Sequence, residues 1–364
     1  MLPPRDVADV VASLPVVHCQ PSVRPPLRAG QTSTTRLVLG VASMKQHMTG
    51  EGWQLTHGLS RAPFPHLNYK HCGYDLPEPS TNVPDLLARY NPSIVVVQDK
   101  REWAPMSGIR TFRDPNAFFN GVNVLRSHAS YKLTVLKDAQ QNPEWHKHSA
   151  DEIGAHGWII YYHPEIVKRL APYVRVEDCI RTYHTLNRDD VPIFNKTGRQ
   201  HSIVSGAVSS AYPFRQQIIR NLHKLSPITY LQHPGYHRNG TNTPEYMRTL
   251  AQYKVAICTS GRYGYALRKI IEATAAGCKV VTDLPVDDVL PGIDNNLIRV
   301  HPTISMDELR TVIHDAADNW DADTQYHYRQ EAMFTYDYTH ETARLAMVIN
   351  SRYLEVLQCN LMNV

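Results

Sequence analysis

The sequence predicts an α/β fold made of two Rossmann-like domains with a cleft between them. Its 364 residues are enough for two domains of ordinary size. Short apolar runs, which are typical of buried parallel strands, alternate with helical segments along the chain. A polar, turn-rich stretch over 185–200 divides this alternating series into two halves. Each half therefore predicts its own parallel sheet, and the junction between them predicts a cleft.

In the first half, the strand pattern begins after an irregular arm rich in Pro, Ser and Val. The first apolar run covers 37–42, and a helix over Val83–Tyr90 is closed by an Asn-Pro pair. A second helix is expected over Pro164–Leu170, directly behind an apolar run. Further strands are predicted over 93–97, 132–136 and 158–162.

In the second half, strands and helices alternate again without a short internal repeat. Strands are predicted over 201–206, 228–231, 255–258 and 279–282. Helices are predicted over 212–225, 243–251, 267–276 and, at the end of the chain, 339–357. The predicted segments are an irregular arm (1–33), a first domain (34–190), a second domain (200–335) and a C-terminal helix that crosses back (336–364).

Composition excludes several classes of protein. The 38 Lys and Arg against 34 Asp and Glu give a formal charge of only +4, and 42% of residues are hydrophobic, which excludes a disordered chain. This charge tolerates an anionic substrate but supplies no dense basic patch for nucleic acid. No apolar run approaches the roughly 18 residues that span a bilayer, and the N-terminus lacks a signal-peptide pattern. We therefore expect a soluble, cytoplasmic protein without a membrane span or an obligate protein partner.

Cysteine and histidine patterns predict no metal site. The 6 Cys are scattered without a CxxC spacing, so we expect buried, reduced thiols. The 19 His include the close pair His146 and His148, but no HExxH or Cys/His spacing accompanies them. The DAD triplet at 321–323 lies in a polar helical stretch, where a solvated helix face is expected instead of metal binding.

The stretch over 255–283 contains the most informative pattern for function. An apolar strand ends there and is followed by a loop with Gly261 and Gly264, and then by an amphipathic helix. Backbone N–H groups at the helix start and the cations Arg262, Arg268 and Lys269 are expected together at the mouth of the sheet. This combination predicts an anion-binding site.

The segment RYGYALRKIIEATAAGCKVVTD, at 262–283, resembles the donor-binding segment of group-1 glycosyltransferases with the GT-B fold, especially those similar to spore-maturation glycosyltransferases. Their pattern is approximately R/K-x-x-E-A-x-A-x-G-x-x-V-x-T-D. The matching positions are Lys269, Glu272, Ala273, Ala275, Gly277, Val280, Thr282 and Asp283. The resemblance covers about 30 residues well and about two thirds of the chain loosely.

The resemblance implies a donor site on the second domain and an acceptor site on the first. Glu272 would bind the ribose hydroxyls of a nucleotide diphospho-sugar such as a UDP-sugar, and Arg268 or Lys269 would bind its diphosphate. The remaining predicted donor-binding residues are Gly206, Arg215, Ser260, Arg262, Tyr263 and Gly264. The pattern departs at Gly264, where many relatives have an acidic residue that contacts the transferred sugar.

Two carboxylates are candidate general bases for the acceptor hydroxyl. Asp99 and Asp138 each follow an apolar strand of the first half, where ligands of parallel sheets bind. An ordinary turn-forming role is the alternative for both. Glu51, between two glycines in the first loop, is a similar candidate.

Together these observations predict a metal-independent glycosyltransferase that uses a nucleotide diphospho-sugar as co-substrate, with no further cofactor. Three alternatives remain open from the sequence. They are a phage-type glycosyltransferase acting on modified bases in DNA, a nucleotide-sugar epimerase, and a non-catalytic nucleotide-sugar-binding module. The sugar, the nucleotide, the acceptor and the stereochemical outcome are not determined by these residues.

Overall fold

The computed structural model describes residues 35–39, 55, 58–59, 68–72, 82–98, 121–136, 143–206, 208–210, 212–232 and 243–362. These residues form two parallel β-sheets with helices packed on their faces, as the sequence predicts. The first sheet contains strands from 35–181, and the second contains strands from 200–299.

The first sheet has six strands in the order β2-β1-β3-β4-β5-β6, all paired in parallel. Its strands are β1 (Thr35–Leu39), β2 (Asn68–Cys72), β3 (Ile94–Val97), β4 (Tyr131–Leu136), β5 (Gly157–Ile160) and β6 (Cys179–Arg181). The second sheet has five strands in the order β11-β10-β9-β7-β8, again all parallel. Its strands are β7 (Gln200–Gly206), β8 (Thr229–Gln232), β9 (Tyr253–Ile257), β10 (Lys279–Thr282) and β11 (Leu297–Arg299).

Helices connect these strands and cover both sheets. They are α1 (Val83–Tyr90), α2 (Pro143–Ile153), α3 (Pro164–Leu170), α4 (Pro213–Arg220), α5 (Thr243–Leu250), α6 (Arg268–Ala275), α7 (Met306–Asp318), α8 (Ala322–Thr335) and α9 (Tyr338–Met362). Local sequence explains their ends. The Asn82 side chain caps the start of α1 by accepting the Asp85 N–H, and Pro84 occupies the first turn.

The two faces of the first sheet pack against different helices because side chains alternate along each strand. Leu37 and Val95 lie on the face that α1 covers. Val38 and Val96 lie on the opposite face, which packs against Leu345, Ala346, Ile349 and Tyr353 of α9. The C-terminal helix therefore completes the core of the first sheet, although it follows the second sheet in the chain.

Several elements differ from the sequence predictions. The strands β2, β6 and β11 were not expected, because β2 has the polar sequence NYKHC and the other two are three residues long. The helix predicted over 212–225 ends as α4 at Arg220 and continues as a separate 3₁₀ turn over Leu222–Lys224.

The cysteine prediction is confirmed at four positions and wrong at one. Cys72, Cys179, Cys258 and Cys278 are free and buried. Cys359 near the end of α9 is disulfide-bonded, which the scattered spacing of the cysteines did not indicate. In the part of the chain that the structure describes, no helix combines the length and the apolar character needed to cross a membrane.

Candidate functional site

The order of strands in the second sheet defines a point where a ligand can bind. The chain runs from β7 to its neighbour β8 and then crosses to β9 on the other side of β7. The connections after β7 and β9 therefore diverge and leave a crevice at the carboxyl ends of these two strands, which is where open α/β sheets bind ligands. Gly206 ends β7, and Thr259 lies two residues beyond β9.

A buried arginine packs directly against the end of β7. Gly206 has a φ of +125°, and a Cβ atom there would lie 2.8 Å from Nη1 of Arg215. Arg215 lies in the first turn of α4, is only 4% exposed and stacks its guanidinium 4.1 Å from the ring centre of Tyr212. Glycine at position 206 thus meets two needs, the positive φ and the close approach of the guanidinium.

Thr259 brings a second cation beside Arg215. Its Oγ1 accepts hydrogen bonds from Arg215 Nε at 2.9 Å and from Lys269 Nζ at 3.2 Å. Lys269, in the first turn of α6, also approaches the backbone oxygen of Ser205 at 3.4 Å. Thr259 is 1% exposed, so one buried hydroxyl holds two cationic side chains together at the crevice. We call Arg215, Thr259 and Lys269 the cation cluster.

The cation cluster is electrostatically strained. Burial, reinforced by the neighbouring Arg215 charge, lowers the pKa of Lys269 to about 7, although Cys258 and Asp283 favour its protonated form. Two like charges close together in a low-dielectric site repel each other strongly. A bound anion would relieve this repulsion, which makes the cluster suited to a phosphate or diphosphate group.

Glu272 lies on the same helix and is buried. Its side chain forms an ion pair with Arg268 at 3.0 Å, and only 6% of the residue is exposed. The carboxylate also lies near the Tyr246 hydroxyl, whose pKa burial raises, with a smaller contribution from Glu272. Tyr246 hydrogen-bonds Ser205 Oγ at 2.8 Å, which places this polar group at the end of β7.

Arg268 and Lys269 have different surroundings, although they are adjacent in sequence. Arg268 contacts Glu272, and its charge opposes the rise that burial causes in the pKa of Asp190. Lys269 instead faces Arg215. Of the two predicted diphosphate ligands, only Lys269 belongs to the cation cluster.

The loop over 260–266, called the donor loop from here on, connects β9 to α6. Ser260 donates its N–H to Asp283 Oδ1 at 2.6 Å. Gly261 donates its N–H to the Tyr265 carbonyl at 2.8 Å, and Gly264, with a φ of +77°, donates to the Gly261 carbonyl at 2.9 Å. A Cβ atom at Gly261 would lie 2.4 Å from the Tyr265 ring, so this position requires glycine. The two glycines therefore allow a tight turn in which the Tyr265 ring packs against the backbone at Gly261.

The remaining predicted side chains of this loop are arranged differently. Arg262 is exposed and lies over the Tyr263 ring at 5.3 Å. Tyr263 is partly buried, and Ser260 is buried with its hydroxyl bonded to the Gly261 carbonyl. Arg262 is therefore not enclosed in the way that Arg215 is.

Two buried arginines fix the opposite end of α6. Arg199 donates to the carbonyl of Ala276 at 3.0 Å, and Arg329 donates to the carbonyl of Ala275 at 2.6 Å. Positive side chains at the C-terminal end of a helix satisfy its free carbonyls and its dipole. The helix that presents Lys269 and Glu272 is thus anchored at its far end.

The predicted catalytic residues Asp99 and Asp138, and the similar candidate Glu51, all lie outside the described residues. The preceding strands end at Val97 and Leu136, so the candidate roles of the first two carboxylates stay predictions.

Two other polar motifs singled out in the sequence, the DAD triplet and the close histidine pair, lie at the start of α8 and within α2. Asp321 caps the start of α8 by accepting the Thr324 N–H at 2.8 Å. His146, one of the close histidine pair, lies in α2 and is buried. Among the described residues, no three His, Cys, Asp or Glu side chains cluster as metal ligands would.

Sequence patterns did not single out Thr259, Tyr246 or Ser205 as site residues. They come from three elements that only the strand order brings together. The one available signal for Thr259 was its position just after an apolar strand, which is where polar ligands of a parallel sheet lie.

Comparisons with known proteins support the fold. No protein-family model matches the chain, and no curated protein matches it in sequence. Solved structures do match. Sucrose-phosphate synthase from Thermosynechococcus elongatus has a TM-score of 0.53 and 10% identity, over 88% of this chain and 99% of that one. Anabaena HepE in complex with UDP-glucose has a TM-score of 0.53 and 12% identity, over 87% and 99%.

A glycosyltransferase from Rickettsia africae has a TM-score of 0.51 and 11% identity, over 90% of this chain and 99% of that one. At such identities the likeness establishes the fold alone. The chain has the two-domain GT-B fold, with one parallel sheet in each domain, as the resemblance in the sequence implied.

Proposed function

We propose that this protein is a glycosyltransferase that moves a sugar from a nucleotide diphospho-sugar to an acceptor hydroxyl. One observation carries the proposal: the cation cluster, in which a buried and a partly buried cationic side chain share one buried hydroxyl at the crevice of the second sheet. Such a site favours a compact, multiply charged anion. The GT-B fold supports the same activity because the similar HepE structure holds UDP-glucose.

In this proposal the donor lies across the second sheet. Arg215 and Lys269 bind the diphosphate, and Glu272 binds the ribose hydroxyls. The oxygen of Glu272 that faces Arg268 is held in the ion pair, which orients the carboxylate toward its ligand. Because Arg268 is engaged in this way, we assign the diphosphate to Lys269.

The proposed reaction breaks the bond between the anomeric carbon of the sugar and a diphosphate oxygen. The acceptor oxygen bonds to that carbon, its proton passes to a base, and the nucleotide diphosphate leaves with the electron pair. Asp99 or Asp138 is the proposed base. Negative charge grows on the leaving diphosphate, and the fixed charges of Arg215 and Lys269 stabilise it without a metal ion.

A panel of nucleotide sugars tests the proposal. The purified protein is mixed with each donor, and the release of nucleotide diphosphate is measured with and without an acceptor panel of sugars, lipids and duplex DNA. We expect release from at least one donor, beginning with UDP-glucose, to depend on an acceptor. Sugar interconversion without release would instead indicate an epimerase, and binding without either reaction would indicate a binding module.

Glu272→Gln is the matched active-site variant. It removes the charge but keeps the shape, and we expect roughly a tenfold or greater rise in the KM for the donor, because hydrogen bonds to a charged acceptor are the stronger ones. Glu245→Gln, at an exposed position in the same domain, is the control and should leave KM unchanged. Equal kinetics for both variants would contradict the ribose role.

A further inference from the structure

The first half of the protein contacts the donor loop at two points. Arg169 of α3 donates a hydrogen bond to the Tyr263 carbonyl at 2.5 Å. The ring of Tyr162, just after β5, packs edge-on against the Tyr265 ring with centroids 4.7 Å apart. The loop proposed to border the donor is therefore shaped partly by the domain proposed to hold the acceptor.

A third link passes through the buried carboxylate of Asp288. This residue follows β10 and is 1% exposed. Its Oδ1 forms an ion pair with Arg181 of β6 at 2.5 Å, and its Oδ2 accepts the N–H of Ala266 at 3.0 Å. Ala266 lies two residues before the first residue of α6. One carboxylate thus connects a side chain of the first half to the backbone where α6 begins.

Arg181 is itself held in place by α9. Arg344 donates to the Arg181 carbonyl at 2.8 Å, and the Arg181 guanidinium lies 4.6 Å from the Tyr183 ring centre. Glu341 accepts hydrogen bonds from the Thr182 hydroxyl at 2.7 Å and the Tyr183 N–H at 3.1 Å. The position of Arg181 therefore depends on both the first sheet and α9.

We propose that Asp288 is a positioning residue that couples the placement of the first half to the shape of the donor loop. The inference rests on the proposed function for its meaning, because the loop matters only if a donor binds beside it. The physical reason is the cost of an unpaired buried charge. If Arg181 withdraws, the Asp288 carboxylate loses its counter-charge, and the hydrogen bond to Ala266 loses its support.

The donor loop would then be ordered only when the two halves are together. Ala266 is three residues before Lys269, so a change at this backbone group is transmitted directly into the turn that presents the cation cluster. Binding of the donor and approach of the two halves would favour each other, as linked equilibria require.

Hydrogen exchange tests the link without any ligand. Peptides covering 260–267 are followed by mass spectrometry in the full-length wild type, in Arg181→Met and in Asp288→Asn. We expect the Ala266 amide to exchange roughly tenfold faster in both variants, because the charged acceptor is unsupported or replaced. Arg181→Lys restores a counter-charge, and we expect it to recover most of the protection.

Arg175→Met is the matched control, since Arg175 is an exposed arginine of the same half that pairs with Glu177. Unchanged exchange in both test variants, or an equal change in the control, would overturn the proposal. A variant that unfolds exchanges everywhere at once, and in that case the Arg181→Lys comparison decides between coupling and no coupling.

A second measurement uses UDP as the probe. We expect Arg181→Met to weaken UDP binding by roughly tenfold and Arg175→Met to leave it unchanged. If the wild type binds no nucleotide diphosphate, the proposed function fails, while the exchange measurement still shows whether Asp288 links the two halves. If the wild type binds UDP but the variants show no difference in exchange, the proposed coupling is wrong and the proposed function stands.

Discussion

Two lysines withdrawn from solvent, one in each half, show what distinguishes a binding site from a buried charge: Lys132 is fully buried and Lys269 is partly buried. Lys132 lies near the start of β4, has none of its surface exposed, and donates from Nζ to the His128 carbonyl at 2.7 Å. Lys269 lies at the carboxyl ends of β7 and β9 beside Arg215. Burial lowers the pKa of both, to about 8 for Lys132 and about 7 for Lys269.

The difference lies in their neighbours and in the end of the sheet where they lie. A backbone carbonyl satisfies Lys132 at the amino end of the first sheet, away from the edge where parallel sheets bind ligands. Lys269 instead faces a second cation across one threonine hydroxyl. A lowered lysine pKa therefore indicates burial, and the paired cation indicates a place for an anion.

The largest expected effect is the difference in UDP affinity between two matched variants, one at each lysine. Lys269→Met should weaken UDP binding about a hundredfold, since a hydrogen bond to a charged group is worth about 1.5 to 3 kcal/mol. Lys132→Met should leave UDP affinity unchanged within about twofold, because Lys132 lies at the end of the sheet opposite the edge where parallel sheets bind ligands. Isothermal titration calorimetry measures both affinities. Equal losses in the two variants would contradict the conclusion that only Lys269 belongs to a binding site.

The next effect concerns the hydroxyl that holds the cation cluster together. Thr259→Val removes the acceptor shared by Arg215 and Lys269 while keeping the shape of the side chain. We expect about a tenfold loss of UDP affinity. Thr259→Ser retains the hydroxyl and should bind like the wild type, whereas a loss in both variants would indicate that packing of the methyl group matters instead.

A smaller effect is the pH dependence of binding. Because the free Lys269 amine has a pKa of about 7 and a bound anion stabilises its charge, binding above pH 7 takes up a proton. UDP affinity should therefore fall as the pH rises from 7 to 9, by less than tenfold per unit. The phosphate groups add little in this range, since they ionise near pH 6. Lys269→Met should flatten the profile, and a profile of unchanged slope would exclude Lys269 as its source.

The smallest effect belongs to Lys132 and concerns stability. Its folded pKa of about 8 lies below the unfolded value of about 10.4, so the unfolded chain binds more protons between these values. The free energy of unfolding should rise with pH in that window, by at most about 1.4 kcal/mol per unit from this group. Lys132→Met should remove that contribution. Urea unfolding at pH 7.5 and 9 measures it, and an unchanged slope would contradict the assignment.

Most of the fold could be predicted because most buried strands correspond to uninterrupted apolar runs in the sequence. The runs IVVV in β3 and VAI at the end of β9 required no tertiary information. The strand β2 could not be predicted in this way, because its polar residues pair only with β1 at the edge of the sheet. Its backbone hydrogen bonds, and not its side chains, define it as a strand.

The site was predictable only where it lies in one continuous segment. Lys269 and Glu272 share a helix, so a local pattern identified both. Thr259 depends on Arg215, which is 44 residues away, and Asp288 on Arg181, which is 107 residues away. Such pairs follow from strand order and from the contact between the halves, and neither leaves a local signal in the sequence.

The path of α9 has a consequence for how the protein is made. Leu345, Ile349 and Tyr353 fill one face of the first sheet, yet a ribosome synthesises them long after the last strand of that sheet has emerged. Domains usually fold in the order of synthesis. Here one apolar face of the first sheet stays uncovered until the second half of the chain has been translated, so the first half can complete its core only after the second half has been made.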